Sequence, residues 1–117
     1  MNLKSQLQKT DIYIIDQILK GQFDQVKSVL DVGCGSGRNL VYFLQNNYNV
    51  YGLDPNENRL IETQQLALEL SPSTPLSNFK IATAEQIHFE QKFDLVICNA
   101  VLHFSKNKTQ FEEILFS

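Results

Sequence analysis

Three glycines and two carboxylates mark the part of this 117-residue chain whose residue types could do chemistry. Residues 29–37 read Val-Leu-Asp-Val-Gly-Cys-Gly-Ser-Gly, an apolar run ending in glycines spaced two apart. Glycine lacks a Cβ, so it tolerates φ > 0 and lets a ligand lie directly on the backbone. A glycine-rich turn between a strand and a helix is a usual place for a nucleotide-like ligand. A dinucleotide fingerprint would put its third glycine at position 38. Arg38 stands there, and the glycine comes one residue early, at Gly37. The Gly-x-x-x-x-Gly-Lys-Ser/Thr of a phosphate-cradling loop is absent from the sequence. Asp54 follows the apolar stretch Tyr51-Gly52-Leu53. An acid about 20 residues past the glycines can accept hydrogen bonds from both hydroxyls of a ribose. A carboxylate suits that task because it presents only acceptors and its charge strengthens the bonds.

An acid two residues before Gly-x-Gly-x-Gly resembles motif I of the class I S-adenosylmethionine-dependent methyltransferases. Tyr51-Gly52-Leu53-Asp54 resembles their motif II. The resemblance covers about residues 28–104. It implies S-adenosyl-L-methionine as cofactor and transfer of a methyl group to an acceptor. It also implies cofactor contacts at Asp31, Gly33, Cys34, Gly35 and Gly37, at Asp54 and Pro55, around Thr83, Ala84 and Glu85, and at Asn99. In such enzymes the acid at the Asp31 position helps hold the methionine amino group, often through water. The segment at 82–89 usually carries an acid that bonds the adenine amino group. Here Thr83 stands in its place, so the side-chain partner is either Thr83 or Glu85, while the Ala84 N–H could address the ring. His103 is the candidate general base, with a pKa range suited to that role, or else a polar residue at the cleft lip. Asn99 is followed by Ala100-Val101, so the Asn-Pro-Pro-Tyr motif of amino-group methylases is missing. Gly-Arg-Asn-Leu after the glycines resembles a branch acting on small molecules. No metal is implied.

The elements that must position these residues follow from hydrophobic spacing. Ile12, Ile15, Ile18 and Leu19 predict an amphipathic helix over 11–20, stopped at Gly21. Strands are expected at 28–32, 49–53, 79–82 and 93–98, and helices at 38–45 and 57–70. In the latter helix Ile61, Leu66 and Leu70 form the expected apolar face, broadened by Leu60 and Leu68. A final helix is expected from about Thr109. Strands alternating with helices predict α/β architecture with a parallel sheet covered on both faces. The resemblance implies a Rossmann-like three-layer αβα sandwich with strand order 3-2-1-4.

The bulk numbers fit one domain spanning 1–117. A net charge of −3 without a Lys/Arg cluster gives no electrostatic footprint for nucleic acid. The two cysteines, Cys34 and Cys98, show no Cys-x-x-Cys spacing and are read as packing residues. Without an apolar signal core or a membrane-length apolar run, a cytoplasmic protein is expected, and the resemblance implies a small-molecule acceptor. The domain of the resembling enzymes has seven strands, against four legible here. The sequence is therefore expected to be a domain cut after strand 4, whose exposed edge would invite self-association or a partner chain. Two other readings compete with a methyltransferase. One is a non-catalytic cofactor-binding fragment or half of a split enzyme. The other is an NAD-dependent enzyme, which Arg38 disfavours.

Overall fold

The computed structural model describes residues 3–82, 93–98 and 101–104. Helices α1 (Leu3–Leu7) and α2 (Ile12–Leu19) lead into strand β1 (Ser28–Val32). Helix α3 (Val41–Gln45), strand β2 (Asn49–Asp54) and helix α4 (Glu57–Leu70) follow. A 3-10 turn (Leu76–Asn78) precedes β3 (Phe79–Ile81), then come β4 (Leu95–Cys98) and β5 (Val101–Phe104). The sheet order is β3-β2-β1-β4-β5. The first four strands are parallel, in the expected order, and β5 is antiparallel to β4. This is a Rossmann-like arrangement, with β1 at its centre.

Strand β1 is central because every residue after Ser28 is buried. Its register sets Asp31 between Gly52 of β2 and Ile97 of β4. On one face of the sheet Val29, Val50, Leu95 and Ile97 pack with Ile14, Phe43, Leu44, Leu60 and Ala67 from the helices. On the other, Leu30, Val32, Leu53, Phe93 and Val96 form a second buried cluster. At the strand starts, Asp94 accepts from the N–H groups of Lys27 and Ser28 at 2.8 and 3.2 Å, locking β4 beside β1.

The strand and helix bounds expected from spacing agree closely with the structure, but four expectations need correction. The edge of β4 is not open, because β5 pairs with it from Leu95↔Phe104 to Cys98↔Val101. Unpaired ladder groups favour such an addition, and Val-Leu-His-Phe is a sequence of fair strand propensity. The helix expected from Arg38 starts at Val41, because Gly37 and Leu40 donate to Cys34 and Gly37 in tight i→i+3 turns. In α4 the buried stripe is Leu60, Thr63 and Ala67, with Leu66 and Leu70 half-buried, while Ile61 and Leu68 face solvent. Small side chains let this helix approach the glycine loop, so burial there follows size more than hydropathy. In α2 it is Ile14, not Ile12, that is buried, and Ile12 is 82 % exposed. Helix α1 and the 3-10 turn carry no pattern strong enough to predict. The helix expected from Thr109 lies outside the described residues.

Candidate functional site

The turn after β1 is held by one carbonyl and one carboxylate from the end of the neighbouring strand β2. The Leu53 carbonyl at the end of β2 accepts both the Gly33 and Cys34 N–H groups, at 2.7 and 2.9 Å. One residue later, Asp54 Oδ2 accepts the Gly35 N–H at 2.8 Å, and its Oδ1 accepts the Asn56 N–H at 2.8 Å. Asp54 therefore stitches the glycine loop to the start of α4, which Asn56 caps by accepting from the Arg59 N–H. Pro55 lies between the two and is exposed. An ionised carboxylate has about four acceptor sites, so lone pairs remain on both Asp54 oxygens for further donors.

The three glycines, all at positive φ, serve different ends. Gly33 (φ 78) is exposed, leaving its backbone bare to a ligand. At Gly35 a Cβ would stand 3.2–3.4 Å from Nη2, Cζ and Nε of Arg59. Three atoms of one plane at nearly equal distance mean that the guanidinium lies flat over this glycine. At Gly37 a Cβ would meet Leu66 Cδ2 at 3.0 Å and the Thr63 side chain, so this glycine admits α4. Thr63 completes that junction, its hydroxyl donating to the Gly35 carbonyl.

Asp31 is 3 % exposed. Burial pushes its carboxyl up to about 7, the Arg38 guanidinium draws it partly back, and the Asp54 charge raises it further. Among the described residues nothing donates a hydrogen bond to it. A buried carboxyl with spare acceptors is costly unless some donor or cation meets it. Cys34 packs beneath the loop against Gly52 and Thr63, and burial drives its thiol to about 12, far from nucleophilic use. Burial also raises the Cys98 thiol. Both cysteines thus fill space, as their sequence context predicts.

The structure brings Asp31, Gly33, Cys34, Gly35, Gly37 and Asp54 together at the ends of β1 and β2, with Pro55 beside them. Thr83, Ala84, Glu85 and Asn99 lie outside the described residues. His103 falls on β5, paired with Val96. Sequence reasoning missed Arg59, although an arginine in the first turn of the helix after Asp54 is a signal that geometry makes legible. It also missed Asn39, whose Oδ1 accepts the Asp11 N–H at 2.8 Å, and Thr10, whose hydroxyl donates to the Arg38 carbonyl at 3.3 Å. These two bonds tie the α1–α2 connection to the loop's exit. Among the described residues no group of three His, Cys, Asp or Glu could hold a metal ion, and no helix is long and apolar enough to cross a membrane.

This arrangement offers a bare backbone turn, an acceptor carboxylate at the end of the adjacent strand and a buried acid to which no described residue donates. A family model described as a methyltransferase domain matches residues 30–115. The ubiquinone biosynthesis O-methyltransferase of Rickettsia felis is 29 % identical over 100 residues, and that of Rickettsia bellii 27 % over 101. Each alignment covers 85 % of this chain and 40 % of the relative, so the chain spans about two-fifths of those relatives' length. Among solved structures, magnesium protoporphyrin IX methyltransferase from Synechocystis PCC 6803 with bound SAM is similar at a TM-score of 0.60 and 29 % identity. That alignment covers 79 % of this chain and 43 % of the other.

Proposed function

The chain belongs to the methyltransferase-domain family, and we propose that it binds S-adenosyl-L-methionine as part of an enzyme that methylates a small molecule. The observation that carries this reading is the bond from Gly35 N–H to Asp54 Oδ2. It fixes the Asp54 carboxylate against the glycine turn while leaving it further acceptors, which suits a ribose. Asp54 would take the two ribose hydroxyls. Asp31, once ionised, would hold the cofactor's ammonium end from its position two residues before Gly33. Gly33 would bring bare backbone against the ligand, and Pro55 would border it. Thr83 or Glu85, with the Ala84 N–H, would address the adenine, and Asn99 the amino-acid end.

S-adenosylmethionine supplies an electrophilic methyl on a sulfonium when bound. The residues named above then contribute alignment and exclusion of water more than covalent catalysis. His103 is the candidate for removing an acceptor proton. A small-molecule acceptor is supported by the names of the relatives, which refer to ubiquinone biosynthesis and to magnesium protoporphyrin IX. A cytoplasmic setting fits the free, buried Cys34 and the absence of a membrane-length helix among the described residues.

A second reading is binding without turnover by this stretch of chain. It is favoured by the two-fifths coverage of the relatives. Titration calorimetry with S-adenosylmethionine, followed by assay for S-adenosylhomocysteine with catechol and thiol acceptors, separates the two. Binding with product formation supports the enzyme, binding without it the module, and binding of NAD instead would overturn both.

A further inference from the structure

Between α1 and α4 runs a groove of about 470 Å³ that includes neither Asp31 nor Asp54 in its lining. That volume lies within the roughly 300–1,000 Å³ of small-molecule pockets. Its two sides carry opposite charge. Lys9 and Arg38 stand at the α1 and loop side, and Glu62 and Glu69 along α4. Val41 and Leu66 supply apolar surface between them. Among the described residues no ion pair within 4 Å joins the two walls, although four long side chains line them. The stripe Glu62, Leu66 and Glu69 is set by helical spacing, on a different face from the buried Leu60, Thr63 and Ala67. Leu66 also packs on Gly37, and the α1 wall is tied to the loop's exit through Thr10 and Asn39.

We propose that this groove is a second small-molecule site, taking a zwitterion whose ammonium and carboxylate are held apart by an apolar spacer, the chemistry of an ω-amino acid. The carboxylate meets Lys9 and Arg38, the ammonium meets Glu62 and Glu69, and the spacer lies on Val41 and Leu66. An occupant bridges α1 and α4 on either side of the glycine loop. The proposal does not rest on methyl transfer, and its test needs no cofactor.

The test is a titration of the ¹⁵N-labelled full chain followed by amide NMR, with 6-aminohexanoate as probe. Hexanoate and hexylamine, each carrying one of the two charges, serve as controls. Saturable shifts are expected at Gln6, Ser36 and Gln65. Each control should bind roughly two- to fivefold more weakly, as loss of one exposed charge contact implies. The double variant Lys9→Gln, Glu69→Gln should lose saturation while the rest of its spectrum stays in place. No shift with 6-aminohexanoate, equal response to all three compounds, or an unchanged titration in the double variant overturns the proposal.

Discussion

Asp54 has two jobs, and a single substitution reads both. Its oxygens accept the Gly35 and Asn56 N–H groups, so Asp54→Ala strands two partly buried donors. We expect a loss of about 2 kcal/mol in urea unfolding, since each orphaned donor costs on the order of 1 kcal/mol or more. Cofactor affinity should fall at least about tenfold in the same variant, through the lost charge-assisted bonds to the sugar. Asp54→Asn keeps one acceptor and should fall between. Asp31 gives a pH test. Burial raises its carboxyl to about 7, so the folded chain holds a proton that the unfolded chain releases near the ordinary carboxylate range. Stability contributed by that proton is complete in acid and is lost as pH rises from about 4 through 7. Asp31→Asn should flatten that slope in unfolding curves at pH 5, 6, 7 and 8. Affinity for the cationic cofactor should rise over the same window in the parent and stay level in the variant. The types and spacing of these acids were legible from the chain. Arg59 was not, because only the folded turn brings the first turn of α4 over Gly35.

At the level of elements, the loop is held by contacts that glycine permits. Gly37→Ala must place a methyl 3.0 Å from Leu66 Cδ2 at φ 83. Overpacking and the left-handed backbone each cost about 1–2 kcal/mol, so a loss of roughly 2–4 kcal/mol is expected by thermal or urea unfolding. Gly52→Ala has no positive φ but meets Cys34 Sγ and Phe79 Cδ1 at 3.0 Å each, and about 1–3 kcal/mol is expected. Equal stability of both variants to the parent would mean that α4 does not pack on Gly37, nor Cys34 and Phe79 on Gly52, as described. The bounds of β1 and α4 were readable because each is flanked by strong punctuation, Gly33 after one and Pro55-Asn56 before the other. The buried faces of α2 and α4 were not. Ile12 and Ile14 are chemically alike, and Thr63 and Ala67 are buried for their size. Strand β5 was also hidden, since four residues of mixed polarity become a strand only when β4 offers them an edge.

Across the molecule, the parallel order β3-β2-β1-β4 places the ends of β1 and β2 side by side, and this juxtaposition brings Asp31, the glycines and Asp54 into one site. The parallel sheet was legible because alternating strands and helices allow few topologies, whereas the strand order followed from the resemblance carried by the glycine motif. The chain spans about two-fifths of its relatives, so cofactor binding is the property to ask of it first, and acceptor choice belongs to longer comparisons. The most direct measurement is calorimetric titration of the folded chain with S-adenosylmethionine, alongside Asp54→Ala. Saturable binding that weakens at least about tenfold in the variant is the expected result. A folded chain that takes up no S-adenosylmethionine, or binds it equally well without the Asp54 carboxylate, would contradict the account.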